Sequence, residues 1–258
     1  MNSTQSTSAS RSANISRQRR FWNERAISWD HGAQNNPGLV KVVERVIAEA
    51  APRAGMTVID IGCGSGQLSL RVAPLVERVI GIDISQAMID LLLQNARKAN
   101  LSNVEGIAIP IEHLQIEDSS VDLVISNYVL HHLRDRDKAV AVATAARWLR
   151  PGGRLVIGDM MFGRGTDARD REIISSKVAL MIKKGPAGWW RIAKNASRYL
   201  LRFQERPVSI AAWVEMFRAA GLHEVVAIPV VNEASVVRGT RIDRDHHVIA
   251  QGIPQDQS

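Results

Sequence analysis

Short apolar runs alternate with amphipathic stretches along most of this chain. Val58-Ile59-Asp60-Ile61, Val79-Ile80-Gly81-Ile82, residues 104–108, Val121-Asp122-Leu123-Val124-Ile125-Ser126 and residues 154–159 read as five strands. Runs that are apolar at successive positions suit strands buried on both faces. Between them, residues 39–50, 67–73, 85–100 and 135–149 read as helices. Pro37 and Gly38 open the first, Ser85 supplies an N-cap for the third, and Pro151-Gly152-Gly153 closes the last. Residues 21–30 form a further helix upstream, with Phe21, Trp22, Ala26 and Trp29 as its apolar residues. Strand and helix in alternation predict an α/β fold, a doubly wound and mostly parallel sheet with helices on both faces.

The alternation breaks over residues 163–207, which keep helical periodicity but carry no strand. Residues 210–220 are again helical up to Gly221, and residues 225–231 and 248–250 supply two final strands. The expected organisation is a disordered basic tail over 1–20, a core over 21–162, a helical insertion over 163–207, and completion of the core sheet over 208–258.

The first strand carries Asp60, and after Ile61 it runs into Gly62-Cys63-Gly64-Ser65-Gly66; the second ends in Asp83. Glycine permits the backbone angles of such a turn and lets a ligand approach the main chain. An acid at the tip of the second strand can accept hydrogen bonds from both hydroxyls of a ribose. Together they describe a nucleoside site at the carboxyl ends of parallel strands. Two cofactor classes fit that outline. Dinucleotide enzymes favour G-x-G-x-x-G; here the third glycine comes one residue early.

That G-x-G-x-G turn, with its preceding acid, resembles the first motif of class I S-adenosylmethionine (SAM) methyltransferases. Gly81-Ile82-Asp83-Ile84-Ser85 resembles their next motif. The stretch through Ser126-Asn127-Tyr128-Val129-Leu130-His131-His132-Leu133 is similar to the fourth-strand motif of the quinone-biosynthesis type, and Leu149-Arg150-Pro151-Gly152-Gly153-Arg154-Leu155 to the turn before its fifth strand. The resemblance covers roughly residues 20–160, and residues 208–250 more loosely. It implies a Rossmann-like seven-stranded sheet of order 3-2-1-4-5-7-6 and a SAM-dependent methyl transfer to a small, apolar or aromatic acceptor. It also implies roles. The backbones of Gly62 and Gly64 would lie against the methionyl part of SAM, with Gly66 permitting close packing. Asp60 would hold the loop and receive the methionyl ammonium, and Asp83 would bind the ribose. Ile84 and Met88 would wall the adenine, and the main chain near Asn127 would meet the methionyl end. One position departs from the pattern: where relatives place an acid for the adenine amino group, this chain has Pro110. The Ile111 N–H and the Glu112 carboxylate are the expected substitutes.

SAM is intrinsically electrophilic, so the protein chiefly needs to orient the acceptor and exclude water. A base is required only if the acceptor loses a proton. His131 is the leading candidate, with His132 second, because both follow the fourth strand. Tyr128 is a candidate for the acceptor pocket, whereas His246 and His247 read as structural. The region lacks the Asn-Pro-Pro-Tyr-type signature of amino-methylating enzymes, which argues against nucleic acid as acceptor.

Charge sharpens the view of the insertion. The net charge is +7, but residues 1–20 carry four arginines and no acid, and residues 163–207 carry eleven basic residues against four acids. The remainder is therefore mildly acidic. Within the insertion Trp189, Trp190, Tyr199 and Phe203 share a helical face flanked by Arg191, Lys194, Arg198 and Arg202. Such a face suits a lid over the acceptor pocket, a helix pair packed on the sheet with a solvated basic face, or peripheral contact with a membrane surface. No run approaches the length needed to span a bilayer. The single cysteine, Cys63, excludes an intrachain disulfide. A cytoplasmic location, possible membrane contact aside, is the resulting expectation.

Overall fold

The structure, a computed structural model, describes residues 2–163, 168–182 and 206–243. Helix α1 (Asn2–Gln34) and helix α2 (Pro37–Ala50) precede strand β1 (Thr57–Ile61). A short α3 (Ser69–Val72) leads to β2 (Arg78–Asp83), α4 (Gln86–Lys98), β3 (Val104–Ala108) and β4 (Val121–Asn127). Then come α5 (Asp135–Trp148), β5 (Leu149–Met160), α6 (Ala168–Ile182), α7 (Ile210–Ala219), β6 (Leu222–Pro229) and β7 (Ala234–Arg241).

The seven strands form one sheet of order β3-β2-β1-β4-β5-β7-β6. The first five pair in parallel, and β7 enters antiparallel between β5 and β6. Successive strand residues point to opposite faces, which divides the core in two. Ile59, Val124 and Ile157 pack on one side with Trp148 of α5 and Trp213 and Phe217 of α7. Val58, Leu123 and Val156 pack on the other with Val42 and Val46 of α2 and Leu92 of α4.

Three expectations are corrected. Residues 1–20, expected as a disordered tail, are helical from Asn2, and α1 runs unbroken to Gln34. No proline interrupts this stretch before Pro37, and the Trp22–Trp29 part is held by packing, so the helix extends through the polar residues before it. The strand that completes the seven-stranded sheet is Ala234–Arg241, whereas residues 248–250, expected in that role, lie outside the described residues. A turn at Val231, where Ala234 N–H donates to Val231 O, folds β7 straight back on β6. Strand β5 is also longer than 154–159, because Val121 pairs with Leu149 before the Gly152-Gly153 turn. The tryptophan-rich part of the insertion and His246 and His247 lie outside the described residues.

Candidate cofactor and acceptor site

The register places Ile61 beside both Ile82 and Ser126, so the loops after β1, β2 and β4 emerge side by side. The glycine turn is tied to β2: the N–H groups of Gly62 and Cys63 both donate to Ile82 O, at 2.7 and 3.0 Å. Gly62 and Gly64 have φ of 68° and 52°, values that L side chains adopt only with strain. A Cβ on Gly62 would run into Val129, whereas nothing would come nearer than 4.0 Å to one on Gly64. Gly64 is therefore an open cradle. Gly66 faces away from the cavity, and a Cβ there would meet Leu92 Cδ1 of α4 at 2.6 Å.

Both acids are held from behind. Asp83 accepts from Gly64 N–H at 3.1 Å and from Ser85 N–H at 2.9 Å. Ser85 in turn caps α4, its hydroxyl accepting from Met88 N–H. Asp60 is 1% exposed and accepts from Ser69 Oγ at 2.6 Å. Burial pushes its carboxyl up to about 7, against the pull of the Ser69 hydrogen bonds. Burial also raises Asp83, opposed by the N–H groups around it. Cys63 is buried in the turn with its thiol pushed up by burial, which makes it a packing group rather than a nucleophile.

A cavity of about 1350 Å³, open mouth included, lies over this floor. Of the residues anticipated for the cofactor, Asp60, Gly62, Gly64, Asp83 and Ile84 line it. So do Met88, Ile111, Glu112 and Asn127, with Pro110 beside them. The opposite wall was not anticipated. It comes from α1, which contributes Ile15, Gln18, Trp22 and Trp29. Trp22 and Trp29 were legible as residues of one helix, but the polar stretch containing Ile15 and Gln18 reads as tail by composition.

The two adjacent histidines separate. Both lie in a 3₁₀ turn, Leu130–His132. His131, expected as the base, is 4% exposed and is not among the cavity-lining residues. Its Nδ1 pairs with Asp159 Oδ1 at 2.5 Å, and its backbone N–H donates to Asp159 Oδ2 at 2.9 Å. Asp159, fully buried on β5, was missed because it reads as the polar end of an apolar strand. His132 is the histidine at the cavity wall, its ring 5.3 Å from that of Trp22. Tyr128 also lines the cavity. It has φ of 55°, and burial, with Glu233 and Asp159 nearby, raises its phenol.

A family model for a methyltransferase domain matches residues 52–217. The chain belongs to that methyltransferase family. Within it, the chain is 37% identical over 173 residues to a ubiquinone biosynthesis O-methyltransferase of Agrobacterium fabrum, covering 66% of this chain and 64% of the relative. It is 34% identical over 161 residues to 27-O-demethylrifamycin SV methyltransferase of Amycolatopsis mediterranei, covering 59% and 58%. The chain thus spans less than two thirds of the length of these curated relatives. Among solved structures, the methyltransferase fold superposes on magnesium protoporphyrin IX methyltransferase from Synechocystis PCC 6803 with bound S-adenosylhomocysteine (SAH), TM-score 0.63, 16% identity, covering 88% of this chain and 99% of the other. The cofactor of the class is SAM, and this chain's own residues fit it. The open cradle at Gly64 admits backbone contact. Asn127 Oδ1 and Gln67 Nε2 line the cavity and are buried without a partner among the described residues. One is an acceptor suited to an ammonium and the other a donor suited to a carboxylate.

Proposed function

We propose that the protein transfers a methyl group from SAM to a small aromatic or apolar acceptor. The observation that carries this reading is the pairing of two carboxylates, the buried Asp60 and the half-buried Asp83, with an aromatic wall across one cavity. Buried carboxylates favour a cationic ligand, and indole faces favour one too. SAM carries an ammonium and a sulfonium. In this reading Asp60, Asn127 and Gln67 hold the amino-acid end, and Asp83 takes the ribose hydroxyls. The acceptor lies against Trp22, Trp29 and Tyr128, which keep water from the reacting atoms.

SAM supplies the activated methyl group, and the protein supplies alignment, which contributes about 7–11 kcal/mol when reactants are well oriented. For a hydroxyl acceptor, His132 takes the proton, since it is the imidazole at the wall. His131, fixed by Asp159, acts as a positioning residue by holding the 3₁₀ turn. A membrane-directed variant of the function rests on residues outside those described and gains no support from the site. No helix among the described residues is long and apolar enough to cross a membrane.

The test is SAH release from SAM with a panel of catechols and para-hydroxybenzoates. Release with a phenolic acceptor is expected, and His132→Ala should lower the rate about 10²-fold or more if it is the base. Tight SAH binding without release from any acceptor would mark a binding protein instead.

A further inference from the structure

Helix α1 lies lengthwise along the cavity. Ile15, Gln18, Trp22 and Trp29 follow one another at spacings of three, four and seven, which puts them on a single helical face. Trp29 marks the glycine-turn end, because its Nε1 lies 4.0 Å from where a Cβ on Gly64 would stand. Trp22 follows, against His132. Gln18 lies a turn further on, about 16 Å along the axis from Trp29 at a rise of ~1.5 Å per residue. Two anchors fix this part of the helix to the loop after Asp83. Arg19 Nε donates to Ile84 O at 3.2 Å, and Asn23 Oδ1 accepts from Ser85 Oγ at 2.6 Å and from Ala87 N–H at 3.3 Å.

We propose that Gln18 reads the nucleobase of the cofactor. This rests on the SAM reading above and extends it to adenine recognition. An adenine edge presents an amino donor beside a ring-nitrogen acceptor, and a carboxamide matches both with its oxygen and nitrogen. The other groups at this end do not. As side chains, Ile84 and Ile111 are apolar, Pro110 has neither an N–H nor a polar side chain, and Glu112 can only accept, so from the loop after β3 the donor is the Ile111 backbone N–H. Asn14 also carries a carboxamide but is exposed and one turn further out, whereas Gln18 is half-buried beside the Arg19 anchor. The N-terminal helix thereby adds a side chain that pairs with the nucleobase edge to the Ile111 N–H and Glu112 of the loop after β3.

Calorimetry with SAH and with its analogue bearing purine in place of adenine, which lacks the 6-amino group, tests the assignment on the full chain. The wild type should prefer SAH about five- to tenfold, the size of one neutral hydrogen bond. Gln18→Ala should reduce that preference to within about twofold with helical circular dichroism unchanged. Gln18→Glu keeps the acceptor oxygen, so it should weaken SAH while retaining the preference. Asn14→Ala should bind as the wild type does. SAH binding with the preference intact in Gln18→Ala would overturn the role of Gln18 alone. Failure of the wild type to bind SAH would overturn the SAM reading and this inference with it.

Discussion

Asp60 and Asp83 meet the same cavity with different backing, and their substitutions should differ accordingly. Asp83 has both carboxylate oxygens tied to backbone N–H groups, so its charge is fixed in place for a ribose. Asp83→Ala should weaken SAH by about 1.5–3 kcal/mol, the value of lost charge-assisted hydrogen bonds, in a calorimetric titration. Asp60 gives a pH signature instead. Its carboxyl titrates from an ordinary 3.8 in the unfolded chain and from about 7 in the folded one. Between these values the unfolded state binds fewer protons, so the Asp60 contribution makes the free protein less stable as pH rises through that window. A cationic ligand favours the ionised form, so SAM affinity should rise as pH climbs through about 7, with proton release. Asp60→Asn should flatten both dependences. A thermal-unfolding series and calorimetry in two buffers of different ionisation enthalpy would show it.

At the scale of elements, the turn after β4 depends on a buried cation. Lys138 of α5 is 0% exposed and donates to Leu133 O, Asp135 Oδ1 and Arg206 O at 2.9, 3.1 and 2.6 Å. It thereby ties residue 206, whose N–H donates to His131 O, to the wall of the site. Lys138→Ala would strand buried carbonyls, each costing about 1–3 kcal/mol, and should lower the thermal midpoint. Gly66→Ala should likewise destabilise by about 1–3 kcal/mol, since its φ of 100° strains any side chain. Elements with one dominant signal were legible in the sequence. The run of β3 matches residues 104–108, and the Ser85 cap places the start of α4 within one residue. Strand β7 was not legible: Ser235, Arg238, Gly239 and Thr240 dilute its apolar run, and only its place inside the sheet buries Val236 and Val237. The glycine turn and both acids were legible because their spacing is local. The α1 wall and the Asp159–His131 pair were not, since each needs elements distant in sequence to meet.

For the molecule as a whole, the cavity draws on α1, β1, β2, β4 and the turns after them, so a ligand there couples parts that otherwise meet only through the sheet. SAH at a hundredfold excess over its Kd should raise unfolding stability by about 2.7 kcal/mol. Differential scanning calorimetry should show this as one transition moving upward together, and Asp83→Ala should blunt the shift. The parallel half of the sheet follows from the alternating pattern of residues 57–160. The antiparallel end follows only from the family resemblance, because nothing local in residues 222–241 states which strand lies inside.

The insertion of β7 between β5 and β6 has a consequence for synthesis on the ribosome. Strand β5 finds its second neighbour only in Ala234–Arg241, more than seventy residues after Met160. Until that segment emerges, a nascent chain holding five parallel strands carries the apolar edge of Leu155, Val156 and Ile157 with its hydrogen-bonding groups open. The hairpin that closes the sheet is therefore also what protects the growing chain. Nascent chains arrested before residue 234 should bind chaperones and aggregate, and those extended past residue 241 and clear of the exit tunnel should not.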